Sequence, residues 1–115
     1  MARTVQLSVT VSCALNSEGN GTAQTGPTGT REVWNVQTAS VSASTNVSEA
    51  TARIYAGNSL SPAYFVDGTT WGSTGDSTSN FSAPVHLGQS VWCQWTGGDA
   101  GATATLVLTG SRQVP

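Results

Sequence analysis

Val5-Gln6-Leu7-Ser8-Val9-Thr10-Val11-Ser12-Cys13-Ala14-Leu15 alternates larger apolar residues with polar or small ones without a break. A period of two puts Val5, Leu7, Val9, Val11, Cys13 and Leu15 on one side of an extended chain, so the stretch predicts a strand with one buried face. Asn16 to Thr30 follows, with Gly19-Asn20-Gly21 and Gly26-Pro27. That composition predicts a long surface loop.

The same two-residue rhythm recurs along the chain. Between Arg31 and Thr45, Trp34 and Val36 occupy even positions, whereas Val41 and Ala43 occupy odd ones. The parity changes near Thr38–Ser40, and one inserted residue there, a β-bulge, would return both sets to the core. Thr51 to Ala56 predicts a strand with Ala52, Ile54 and Ala56 inward and Arg53 and Tyr55 outward. Asp67-Gly68, between Ala63–Val66 and Thr69–Trp71, predicts a hairpin turn. Ser73 to Asn80 is a second polar loop by composition. Val85 and Leu87 pass through Gly88 to Val91, Cys93 and Trp95, and Thr96–Gly101 turns the chain into Ala102, Ala104, Leu106 and Leu108.

No window repeats apolar residues at helical spacing, and β-branched residues are abundant throughout. The expectation is one all-β domain over residues 1–115. It would be an antiparallel β-sandwich of about seven or eight strands, either jelly-roll or immunoglobulin-like. A chain of 115 residues has room for one core.

Composition narrows the function. Charged residues make up 9% of the chain, against about 25% in an average domain. Ser (15), Thr (17) and Gly (13) take their place. Lysine is absent, and the four basic residues are Arg3, Arg31, Arg53 and Arg112. Four scattered arginines make no phosphate-neutralising stripe, so nucleic acid is not an expected partner. No apolar run approaches the roughly 18 residues of a membrane span. Met1-Ala2-Arg3-Thr4 has no charged-then-apolar leader, which predicts synthesis in a cytoplasm without an export address.

Chemistry has little to stand on. His86 is the one histidine, and a general base needs an orienting partner and a nucleophile beside it. No catalytic set can be assembled from it, and the expectation is a chain that is not an enzyme. Asp76-x-Thr78-x-Asn80 spaces oxygens as a calcium loop does, but it lacks the turn glycine and the bidentate Glu. Neither a metal site nor a cofactor is expected. Three glycosylation triplets, at Asn20, Asn46 and Asn80, are at the level chance allows in so Ser/Thr-rich a chain. Cys13 and Cys93 both have inward parity. They read as two buried thiols in a reducing compartment, with a disulfide as the alternative.

The aromatics carry the remaining signal. Trp34 and Trp95 fit core positions. Trp92 and Gln94 point the other way, and Trp71 lies beyond the Asp-Gly pair in one apparent hairpin with Tyr64. Tyr64, Trp71, Trp92 and Gln94 are therefore the candidate contact residues, for a protein interface first and for a glycan second.

Arg31-Glu32-Val33-Trp34-Asn35-Val36 with Val41–Thr45 and Ala52-Arg53-Ile54-Tyr55 resembles small β-sandwich virion proteins of tailed phages that infect actinobacteria. Leu87–Val91 and Gln94-Trp95-Thr96-Gly97-Gly98-Asp99-Ala100-Gly101-Ala102 extend the likeness. The resemblance implies a virion location and a structural role as a capsid decoration (cementing) protein or a tail-associated subunit. It implies the major capsid protein or tail proteins as partners and a homo-oligomer, a trimer first. It brings no catalytic residues. A carbohydrate-binding module using Trp71, Trp92 and Tyr64 is the reading from another class.

Overall fold

Among the described residues the chain forms eight strands, about two-thirds of its length: β1 (Arg3–Ala14), β2 (Gly21–Thr25), β3 (Val33–Ala43), β4 (Ala50–Gly57), β5 (Phe65–Trp71), β6 (Gly75–His86), β7 (Ser90–Thr96) and β8 (Thr103–Val114). One short 3-10 turn, Pro62–Tyr64, precedes β5. The computed structural model describes residues 3–44, 50–71 and 75–114. For residues 69–71 and 75–81 it describes the backbone alone.

The strands form two four-stranded sheets with the orders β1-β8-β3-β6 and β2-β7-β4-β5, and every pairing is antiparallel. The first sheet has strands of 11 or 12 residues and is called the long sheet; the second has strands of 5 to 8 residues and is called the short sheet. First pairs with eighth, second with seventh, third with sixth and fourth with fifth. That is one long hairpin rolled over on itself, the jelly roll. The immunoglobulin alternative is set aside, because its sheets pair the first strand with the second.

Alternation fills the space between the sheets. Leu7 from β1, Trp34, Val36, Ala39 and Val41 from β3, and Ala104, Leu106 and Leu108 from β8 line the long sheet's inner face. Ala52 and Ile54 from β4 and Val91, Cys93 and Trp95 from β7 meet them. The parity change in β3 is a bulge between Val36 and Thr38, with Gln37 as the extra residue against β8. Trp34 and Val36 before it, and Ala39, Val41 and Ala43 after it, are all buried, so the inserted residue does restore both sets. It falls one position earlier than the parity alone placed it. Gly110 of β8 sits opposite this bulge, and a Cβ there would lie 2.1 Å from the Asn35 carbonyl oxygen. Just past it, Thr38 and Thr109 share a hydrogen bond through their hydroxyls.

Three local expectations are corrected. The loop expected over Asn16–Thr30 contains β2, an edge strand of which only Ala23 is buried. One inward residue leaves no alternation to read, and the pairing to β7 supplies what the side chains do not. Asp67-Gly68 is no hairpin. It lies inside β5, with Gly68 opposite Arg53. A two-residue primed turn needs positive φ, and Gly68 is not among the glycines that adopt it. The polar loop expected from Ser73 is strand from Gly75 onward, paired along β3.

Cys13 and Cys93 are free thiols, the first half-buried and the second fully buried. Burial pushes the Cys93 thiol far up, and nearby Cys13 adds to the rise. Burial alone raises Cys13. Both stay protonated small apolar fillers.

Among the described residues one buried charge stands out, and it clamps an end of the sandwich. Glu32, 9% exposed, accepts from the backbone N–H groups of Thr28 (3.2 Å) and Gly29 (3.3 Å) and pairs with Arg112 of β8 at 3.3 Å. Burial pushes its carboxyl up. The two backbone donors, the Trp34 indole and Arg112 together outweigh that and hold it below the usual carboxylate range. A depressed folded-state pKa stabilises the fold above the unfolded-state value, and this is lost as pH falls through the folded one. Glu32→Gln is expected to cost about 1–3 kcal/mol at pH 7. Urea unfolding from pH 7 down to pH 3 should show the gap to the unsubstituted protein closing below about pH 4. A gap that is constant across that window would remove the charge from the account.

Candidate functional site

The inner faces are used up by the core, so any contact surface lies outside. The outer face of the long sheet carries mostly neutral polar residues, Gln6, Ser8, Thr10 and Ser12 on β1, Thr103 and Thr105 on β8, and Thr38 and Ser42 on β3, around the aliphatic Val107 of β8. The outer face of the short sheet differs. There the strand registers line up aromatic rings.

Trp92 of β7 stands opposite Tyr55 of β4, and Tyr55 stands opposite Phe65 of β5. Gln24 of β2 continues the same row on the far side of Trp92. Directly opposite residues in an antiparallel pair share a face and touch, so the row is fixed by backbone register. Tyr55 and Phe65 pack edge to face, with ring centroids 5.6 Å apart and planes at 71°. Tyr55 is thereby only 7% exposed although it points away from the core. The outward orientation is the one the alternation predicts; the neighbouring rings, not the core, cover it. Phe65 is 50% exposed and caps the row.

The next row holds Thr22, Gln94, Arg53 and Gly68. Gly68 has no side chain, so the Phe65 ring and the Arg53 stem close in over its backbone: Phe65 Cζ and Arg53 Cγ lie 3.4 and 3.5 Å from where a Cβ would stand. On the other side of the aromatic row, Gly57 lies under the Tyr64 ring. A Cβ there would sit 2.4 Å from Tyr64 Cδ1. The Trp92 indole N–H donates to the Gly57 carbonyl at 3.3 Å. Gly57 thus draws Tyr64 and Trp92 to one place, because only a bare backbone allows a ring on top and an indole at its carbonyl.

Of the four candidate residues, three come together here. Trp92 and Gln94 are half-buried on the outer face of β7, and Tyr64 joins them over Gly57. Trp71 ends β5 with its backbone paired to Ala50, and its side chain lies outside the described residues. Tyr55, Phe65 and Arg53 complete the patch and escaped sequence reasoning. The usable signal was two outward aromatics on separate strands, which becomes a patch only once the register is known.

Chemically the patch offers ring faces and edges, one guanidinium and two amides. It has no nucleophile held by a base. His86 is exposed at the end of β6, where its backbone N–H donates to Gln89 Oε1 at 2.9 Å and closes the turn to β7. Among the described residues, no three His, Cys, Asp or Glu side chains gather as a metal site would need. The Asp76-x-Thr78-x-Asn80 side chains lie outside the described residues. Among the described residues no helix is long and apolar enough to cross a membrane. No family model matches the chain, and no curated protein matches it in sequence.

Proposed function

We propose that the chain is a non-catalytic binding subunit, and specifically an accessory phage virion protein that decorates and cements the outside of the shell. The observation that carries the binding role is the half-exposed Phe65 crowning the Trp92–Tyr55 row on an otherwise neutral, hydroxyl-rich molecule. A large ring left open above tightly packed ones is what an interface hot spot looks like. The particle assignment draws its support from the sequence resemblance. The scarcity of charge fits it, since packing against many neighbours avoids the desolvation of unpaired ions. Each copy would bridge shell subunits, with weak contacts adding through avidity.

Jelly rolls build both capsids and lectins, so the fold serves either class. One observation favours a glycan as the second reading: Gln94 and Arg53 flank the ring row, as polar groups flank a sugar platform. A single pair of experiments separates the two. Particles lacking the protein should burst at a lower temperature. Adding back the purified chain should restore them, and adding back Phe65→Ser should not. Unchanged heat resistance without the protein would end the cementing proposal. Binding to a polysaccharide, abolished by Trp92→Ala in a folded variant, would put the glycan reading in its place.

A further inference from the structure

A sandwich of two open sheets has four edge strands, and an unprotected edge invites another strand. Here β2, β5, β1 and β6 are the edges. Three of them carry a device that discourages pairing. β2 has only five residues. β5 has seven and is bulged at Val66. β6 contains Pro84 and a break in register opposite Gln37, and proline cannot donate to a ladder.

β1 has none of these. It runs twelve residues in unbroken register with β8, without proline, and its one charge, Arg3, stands at its very end. Among the described residues no strand pairs with its other side. Its inward side chains are also incompletely covered. Leu7 is buried, but Val5, Val9 and Val11 are half-buried although they point between the sheets. The reason is length: the neighbouring edge across the sandwich, β2, is too short to cover a strand of twelve.

We propose that β1 pairs antiparallel with β1 of a second copy about a two-fold axis at Val9, joining the two long sheets into one of eight strands. The occupant follows from the strand itself. Directly opposite residues in an antiparallel pair share a face, so the two-fold must set one residue opposite its own copy. Centred on Val9, the register sets Val9 against Val9, Val11 against Leu7 and Cys13 against Val5, apolar on apolar. On the outer face it sets Ser8 against Thr10 and Gln6 against Ser12, neutral on neutral. The half-open valines gain cover from the partner, and no charge is left opposed. The contact is isologous and closes at two copies, in place of the three-fold association that the resemblance implied. It leaves the aromatic face of the short sheet free on both copies, so a dimer would present two docking patches.

The test uses light scattering after size exclusion on the full chain. Twice the chain mass is expected. Ser8 and Thr10 are exposed on the outer face, so substitutions there spare the core. Ser8→Lys with Thr10→Lys places like charges opposite each other twice and should halve the mass while the strand signal in circular dichroism stays. Ser8→Lys with Thr10→Glu places opposite charges together and should remain a dimer. A monomeric native chain overturns the proposal. So does a Lys/Lys variant that stays dimeric, or a Lys/Glu variant that is folded and monomeric.

Discussion

Trp95→Ala is expected to lower the unfolding free energy by about 3–5 kcal/mol, the range for truncating a large buried aromatic. Trp95 has no exposed surface and sits at the inner face of β7. Its cross-strand neighbours are Gly21 on β2 and Ala52 on β4. These small residues make room for the indole, and they have no side-chain length with which to fill the hole it would leave. The cavity therefore stays open, and the cost should fall at the upper end of the range. Against a total stability of about 5–15 kcal/mol for such domains, that is a large share. Urea unfolding measures it. A midpoint within error of the unsubstituted protein would mean that the core does not depend on this ring.

Gly110→Val is expected to cost about 3 kcal/mol, at the upper end for overpacking. The atom it would strike, the Asn35 carbonyl oxygen 2.1 Å from the added Cβ, belongs to the backbone and cannot rotate aside. Relief requires β8 to move away from the bulge in β3. That bulge keeps Ala39, Val41 and Ala43 on the same face as Trp34 and Val36. The damage should therefore extend beyond the residue itself, to the pairing of β3 with β8. Ser111→Ala, one position on, should stay within about 0.5 kcal/mol. Equal stabilities for the two variants in the same unfolding experiment would contradict the account of the bulge.

Legibility in the sequence tracked how many apolar residues each strand turns inward. β1, β7 and β8 turn three or more inward, and their alternation shows in the residues. The bulge in β3 was visible as a parity change to within one position. β2 was invisible because Ala23 is its one buried residue. The start of β6 was hidden by a run of Ser, Thr and Asn that composition assigns to loops. Asp67-Gly68 was misleading, because a dipeptide suited to a turn is also tolerated on a bulged edge strand. The site was legible in part. Trp92 and Gln94 could be placed on an outer face by parity, but Tyr55 and Phe65 gain meaning only as neighbours of Trp92.

The sequence by itself determined an all-β sandwich, the inward residues of its strongest strands, and a neutral exterior, because alternation and side-chain type are local properties. Only the tertiary structure decided the jelly-roll order, the ring row on the short sheet, and the open edge of β1. Those depend on which strands lie side by side and in what register, and pairing partners far apart in the chain leave no trace in the spacing of either one.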